Sequence, residues 1–280
     1  MSLGMSFARR RMMAVPGGDA IDPILNNNSW KVISQVSTAG EASNWWSVGD
    51  RKAIVLNGTV GNLSLSNYTV YAFIIGFDHN ASLEGSGRIH FQLGKTELSG
   101  GKDIALCDSA NSKSISEPGY FSMNSSNTNS GGWAASQMRT NICGTSLSSY
   151  SGTIIAVIPA ELRDVLKSVT KYTNNTGNSS EASAVTATTD YFFLLSEYEI
   201  FGQVNLSNPN EPSKQKRYAY YSDGNGTKKY KHSATGSVTV WWIRSPVCST
   251  STDFRSVNTS GNASFGGANW SRGFAPAFCV

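Results

Sequence analysis

Between Trp30 and Cys107, apolar and β-branched side chains recur in short runs at the spacing of strands. Trp30–Val36, Lys52–Leu56 and Tyr68–Ile75 are the clearest runs, each bounded by Gly, Asn or Asp, and Asn57-Gly58 carries a tight-turn signal. This stretch is expected to form antiparallel sheet. Residues 120–130 are an Asn/Ser/Thr loop that Gly131-Gly132 leads into Trp133. The spacing of Trp133, Met138 and Ile142 predicts a short amphipathic helix over 133–143. A second helix is predicted after Pro159, with Glu161 complementing its N terminus and Leu162, Val165, Leu166 and Val169 as one apolar core stripe. The polar run 173–189 reads as a loop, and Asp190–Leu195 as a buried strand. The fold class expected is α+β, with a β-rich first half and two short helices packed on antiparallel sheet.

The last forty residues show the sharpest contrast in side chains. Val240–Pro246 (with Trp241, Trp242 and Ile243) and Gly273–Val280 (with Phe274 and Phe278) are apolar ends that require a core. Between them, Cys248–Phe254 and Asn262–Trp270 mix short polar groups with single aromatics. That composition suits adaptable hydrogen bonding around rigid anchors, and equally a pair of solvent-facing loops. Upstream, residues 201–221 read as a long insertion in which Lys214–Arg217 precedes Tyr218, Tyr220 and Tyr221, and Lys228–His232 forms a second basic cluster. Basic groups among tyrosines could hold an acidic glycan, or form a solvated hairpin.

Composition narrows the classes. With 39% hydrophobic residues in 280 the chain can bury a core, and 15% charged residues is too few for charge-driven disorder. A formal charge of +4, spread thinly, gives no nucleic-acid footprint. Cys107, Cys143, Cys248 and Cys279 lie far apart without a Cys-x-x-Cys pair, which argues against a zinc ribbon and favours buried thiols; a Cys248–Cys279 bond would clamp the segment between them. After Arg9-Arg10-Arg11 the apolar run Met12–Val15 is too short for a secretory h-region, and no window suggests a membrane span. Residues 1–22 are therefore expected to be a flexible leader, or a peptide that docks on a partner through Phe7, Arg9, Arg10 and Arg11.

Candidate chemistry is sparse. Asp78, His79 and His90 have metal-binding side chains without a short-spaced ligand motif, and Glu211-Pro212-Ser213 is only part of a lectin calcium motif. Glu197 and Glu199 would share one side of a strand, so a carboxylate pair for glycan hydrolysis is conceivable. No nucleophile elbow, P-loop or zincin helix is present. No catalytic group, metal or cofactor is assigned.

Trp241–Pro246, Phe254–Asn258, Gly261 and Gly273–Phe278, with Gly131–Arg139, Pro159–Leu162 and Phe193–Glu197 upstream, resemble the DUF6273 domain family of bacteria and phages, which in turn resembles the C-type-lectin-like fold. The resemblance extends over most of the chain beyond about residue 25. It implies one lectin-like domain over 23–280, comprising a β-rich part over 23–110, helices within 133–170 and a display region over 240–280. It implies a non-enzymatic phage virion protein of tail or head fibre type, binding a host-surface glycan or protein through Ser249, Thr250, Thr252, Asp253, Phe254, Ser256, Asn258, Asn262, Phe265, Asn269 and Trp270. Other virion subunits would hold the leader, and a homo-oligomer such as a trimer is expected, released by lysis, without nucleic-acid binding or membrane insertion. The runner-up is a structural decoration or tail-junction subunit, and the third reading is a glycan hydrolase. Formylglycine generation, also hosted by lectin-like folds, needs a cysteine pair whose motif is not recognisable here.

Overall fold

A computed structural model of the chain describes residues 20–107 and 116–280. The leader residues Phe7, Arg9, Arg10 and Arg11 lie outside them. Ile21 and Asp22 already belong to the body, because Ile21 is buried and the Asp22 carbonyl accepts the Trp46 indole N–H at 3.2 Å.

The first element departs from the sequence expectation. Trp30–Thr38 is a helix, α1, not a strand. The Ser29 hydroxyl accepts the Val32 amide at 3.2 Å, satisfying a donor that the first helical turn leaves open. Trp30, Val32, Ile33, Val36 and Ser37 then form one buried face at helical spacing. A short helix α2 (Ala42–Trp45) leads to the long hairpin of β1 (Arg51–Val60) and β2 (Leu63–Phe77). Asn57-Gly58 does not turn the chain. It lies inside β1, where a register slip between Leu56 and Gly58 absorbs the glycine at φ +118°, and the reversal falls at Gly61-Asn62. The Asn57 side chain accepts the Asn67 amide across the hairpin at 2.6 Å, holding Asn67 in its left-handed conformation.

After α3 (Ala81–Glu84), β3 (Ile89–Lys95) and β4 (Ile104–Ala105) come α4 (Gly132–Ala135), a π-helical turn over Met138–Cys143, α5 (Ile154–Val157) and α6 (Ala160–Arg163). The predicted helix over 133–143 is thus two pieces broken at Ser136. The helix predicted from Pro159 ends at Arg163, and Val169 opens a strand. The Lys167 amide donates to the Cys279 carbonyl at 2.9 Å, drawing the chain into extended pairing.

The expected polar loop over 173–189 includes most of a hairpin, β5 (Val169–Asn174) with β6 (Val185–Asp190). Its buried side chains Lys171, Thr173 and Asn174 are polar, so hydropathy conceals it. Then follow β7 (Phe192–Phe193), α7 (Glu197–Phe201), α8 (Ala219–Ser222), β8 (Lys229–Lys231), β9 (Ala234–Thr239), β10 (Trp241–Pro246), β11 (Asp253–Val257), β12 (Ala263–Gly267) and β13 (Ala277–Cys279).

The architecture is α+β. The largest sheet has the order β1-β2-β3-β13-β7, all antiparallel, so β13 is inserted between strands from distant parts of the chain. Phe278 in β13 is the hub of the core: its ring stacks on Phe91 at 5.4 Å, meets Phe192 at 5.1 Å and lies edge-on to Trp30 at 6.0 Å. The smaller sheets are β10-β11-β12, β4-β8-β9 and β5-β6. The tyrosines of the 201–221 segment do not face solvent beside its basic groups. Tyr218, Tyr220 and Tyr221 are buried, and Tyr221 donates to Gln92 at 2.6 Å, while Lys214, Lys216 and Arg217 are exposed. Lys229 of the second basic cluster is likewise buried over the Trp241 ring, and desolvation lowers its pKa to about 8. None of the four cysteines is in a disulfide; Cys107, Cys143 and Cys279 are buried and Cys248 is half-buried. No helix among the described residues is long and apolar enough to cross a membrane.

Candidate functional site

The display region is largely strand, not loop. Trp241 pairs with Val257 and Trp242 with Ser256, and Phe254, Arg255 and Ser256 pair with Gly266, Phe265 and Ser264. The turn between β11 and β12 is organised by Asn258, whose side chain accepts the amides of Ser260 and Asn262 at 3.0 and 2.9 Å. Gly261 is required there: at φ +88° a side chain is strained, and a Cβ would meet the Thr227 hydroxyl at 2.7 Å.

The strands divide the predicted residues between two ends. Ser249, Thr250, Thr252 and Asp253 lie beside the segment 267–270, since the Ala268 amide donates to the Thr252 carbonyl at 2.8 Å. Asn258 and Asn262 lie at the opposite end of the hairpin, roughly 15 Å away at about 3.3 Å per residue. Phe254 and Ser256 are buried completely, which removes both from any ligand-facing set. Phe254 was expected to be an exposed anchor, but β11 is the middle strand of its sheet and Phe254 belongs to the core cluster. Phe265, on the edge strand β12, and Trp270 are exposed by 49% and 40%.

Arg272 braces the Trp270 ring and the β12 backbone at Phe265. Its guanidinium lies over the Trp242 ring at 5.0 Å and the Trp270 ring at 5.5 Å, and its Nη2 donates to the Phe265 carbonyl at 3.0 Å. Gly266 makes room for it, since a Cβ there would sit 2.0 Å from Arg272 Nη2. Burial lowers the Arg272 pKa to about 10, which leaves it cationic at neutral pH. The neighbouring loop is braced from inside. The buried Asn129 amide nitrogen donates to the carbonyls of Val247, Thr250 and Asp253 at 3.1, 2.8 and 3.0 Å. Tyr120 donates to the Asn269 carbonyl, tying the adjoining loop to the same surface. Nothing in the sequence singles out Arg272, Asn129 or Tyr120; their roles arise from contacts across more than a hundred residues or from the pairing of β12.

Beneath the surface lies a buried charge network. Ser196 caps α7 reciprocally with Glu199, so Glu197 and Glu199 are on a helix and not on a strand as the hydrolase reading supposed. Both carboxylates are buried and committed. Glu197 pairs with Arg255 of β11, and Glu199 pairs with Arg244 of β10 and with Lys171 at 2.6 Å. Burial pushes the Glu199 pKa upward, but Arg244 and Lys171 outweigh it and hold the carboxyl well below its usual range. His79, Glu84 and Glu199 bring possible ligand atoms within 4.8 Å of one another. The Lys171 ammonium already donates to Glu84 at 2.9 Å and contacts Glu199, so a protein cation meets both carboxylates. Burial raises Glu84 to about 7 and lowers His79, which stacks on Tyr218 at 3.6 Å, to about 3. His90 shares a hydrogen bond with Tyr218 at 3.0 Å, whereas Asp78 is exposed and stands apart from the cluster. Glu211 is also buried, accepting the Asn174 amide at 3.0 Å and the Ser245 hydroxyl at 2.8 Å. The network joins β10 and β11 to α7 and β5, and so fixes the display sheet to the body.

The sequence model of one family, described as a domain of unknown function (DUF6273), matches residues 110–280, which leaves β1 to β4 outside the match. Neither a curated protein nor a solved structure matches the chain.

Proposed function

This chain belongs to the DUF6273 family, and from that premise we propose that it is a non-enzymatic binding protein of a phage particle that presents Phe265, Trp270 and the neighbouring polar loop to a host-surface glycan or protein. The observation that carries this reading is the exposure of Phe265 and Trp270 near one buried cation, which lies over the Trp270 ring and holds the Phe265 main-chain carbonyl. Rigid aromatic anchors lose little conformational entropy on binding, and the half-exposed residues Thr250 and Thr252, whose hydroxyls bond Asp253, give the adjoining loop a polar surface. Family membership carries no activity of its own; function lies in the surface. A C-type-lectin-like arrangement agrees with a small sheet carrying the display segment on an α+β body.

The test is binding of purified protein to intact bacterial cells and to a glycan array, with the double variant Phe265→Ala/Trp270→Ala beside wild type. Loss of binding in a variant that melts as wild type does supports the reading; equal binding by both removes this surface from it.

A second reading, a structural virion subunit, draws on a different face. Ile24 and Leu98 are 61% and 47% exposed on a groove of about 430 Å³ that Arg51 also lines. If that groove is a subunit contact, Ile24→Asp/Leu98→Asp abolishes incorporation into particles while cell binding by the free protein persists.

A further inference from the structure

A second concavity opens beside the aromatic pair, and we propose that it is a subsite for one neutral sugar ring. The inference rests on the binding reading above and names a ligand class and a place for it. The cleft holds about 220 Å³ between the Gly61-Asn62 turn of the first hairpin, the Tyr120–Ser122 segment and the π-helical turn carrying Gln137, Asn141 and Ile142. Its volume is below the range of drug-sized pockets, about 300–1,000 Å³, and suits a single ring or the terminal unit of a longer chain.

The lining determines the chemistry. Among the described residues no Lys, Arg, Asp or Glu lines it, so this lining offers an anionic or cationic ligand no counter-charge. Ile142 and the Tyr120 ring give it an apolar wall. Gly61 stands against that wall at φ +57°, where a Cβ would come within 3.0 Å of Ile142 Cδ1, so glycine keeps this side low. The polar side is biased towards donation. Gln137 Oε1 accepts the Ser125 amide at 2.8 Å, which fixes the side-chain orientation and leaves its NH2 group for a ligand. Asn141 Oδ1 lies 2.9 Å from the Thr140 hydroxyl, whose one hydrogen it shares with the Ser136 carbonyl, and this contact favours an outward NH2 group. A pyranose matches both sides, with an apolar C–H face for the wall and hydroxyl and ring oxygens for the amide donors. Tyr120 also joins the cleft to the aromatic pair, because its hydroxyl donates to the carbonyl of Asn269, the residue before Trp270. A glycan seated by one unit in the cleft would run out over Trp270.

Saturation-transfer NMR on the full chain with free glucose, galactose, mannose and N-acetylglucosamine, and with glucuronic and sialic acids as charged controls, tests the proposal. Transfer to at least one neutral sugar is expected, with neither acid responding. Gln137→Ala/Asn141→Ala, at two exposed positions, should weaken that sugar about tenfold without changing the melting temperature, the scale of one or two lost hydrogen bonds. No transfer from any neutral sugar, a stronger response from the acids, or unchanged binding by the double variant overturns it. Those results are separable from failure of the binding reading. Cell binding that depends on Phe265 and Trp270 but not on Gln137 and Asn141 retains the reading and eliminates the subsite.

Discussion

The Arg272 guanidinium lies 5.5 Å from the centre of the Trp270 ring and 5.0 Å from that of Trp242, so an exposed indole and a buried one share a single cation. Arg272 Nε is buried without a partner, which makes the arginine costly as well as useful. Arg272→Met should therefore leave stability within about 1 kcal/mol of wild type. Trp270, released from its cation, should become more accessible to acrylamide. Unchanged quenching would mean that the Gly267–Trp270 turn alone holds the ring.

Phe254 and Phe265 lie on neighbouring strands with opposite fates. Phe254→Ala removes a fully buried ring and should cost about 3–5 kcal/mol, whereas Phe265→Ala should stay within about 1 kcal/mol. Urea denaturation of the two variants measures the difference directly.

Asn129→Ala deletes the amide that serves three carbonyls of the 247–253 segment. A loss of roughly 2–4 kcal/mol is expected, since buried acceptors lose their donor. Hydrogen exchange should rise first at residues 247–253, including the Val247 amide bonded to the Asp253 carbonyl.

Arg255→Met leaves the Glu197 carboxylate buried without its cation and should cost about 3–5 kcal/mol. Adding Glu197→Gln should recover part of that loss. A double variant as unstable as the sum of the single ones would indicate that the pair does not couple.

Glu211 gives a pH dependence of defined sign. Burial raises its pKa from the usual 4.5 to about 7, so its share of stability is fully present below pH 4.5 and is lost as pH rises through 7. Glu211→Gln removes this loss, and the variant should gain on wild type by up to about 3 kcal/mol between pH 4.5 and 8. His79, lowered to about 3, works in the opposite direction: it costs stability as pH falls below 6.5. Comparing wild type with the variant across the range isolates Glu211, because His79 is common to both.

Sequence reading succeeded where apolar periodicity met ordinary burial. β1, β2 and the apolar ends of the last forty residues follow from side-chain type, as do the buried thiols. It failed where the decisive contact was a single hydrogen bond or lay far away in the chain. Trp30–Val36 is rich in β-branched residues, yet the Ser29 cap and the packing of Trp30 on Phe91 make it a helix. Asn57-Gly58 is a turn signal that a bulge absorbs. The 173–189 segment looks like loop because its inward side chains Thr173, Asn174 and Thr188 are polar, and Lys171, which meets Glu84 and Glu199, lies just before it. The exposure of Phe265 and Trp270 was legible as aromatics in a polar run, but nothing in the sequence separates them from Phe254, whose place in the middle strand depends on β10 and β12 flanking it. The cleft at Gly61, Tyr120 and Asn141 is assembled from three remote loops, and no local pattern announces it.

The insertion of β13 between β3 and β7 sets an order on synthesis. β3 is complete some 180 positions before its partner emerges from the ribosome, so one edge of a wholly buried strand stands open through most of translation. An unpaired edge of Ile89, Phe91 and Leu93 is a template for pairing with other nascent chains. A cell making this protein in quantity is therefore expected to show chaperone-dependent yield. Supplying residues 270–280 as a separate peptide should suppress aggregation of chains that stop short of Ala277.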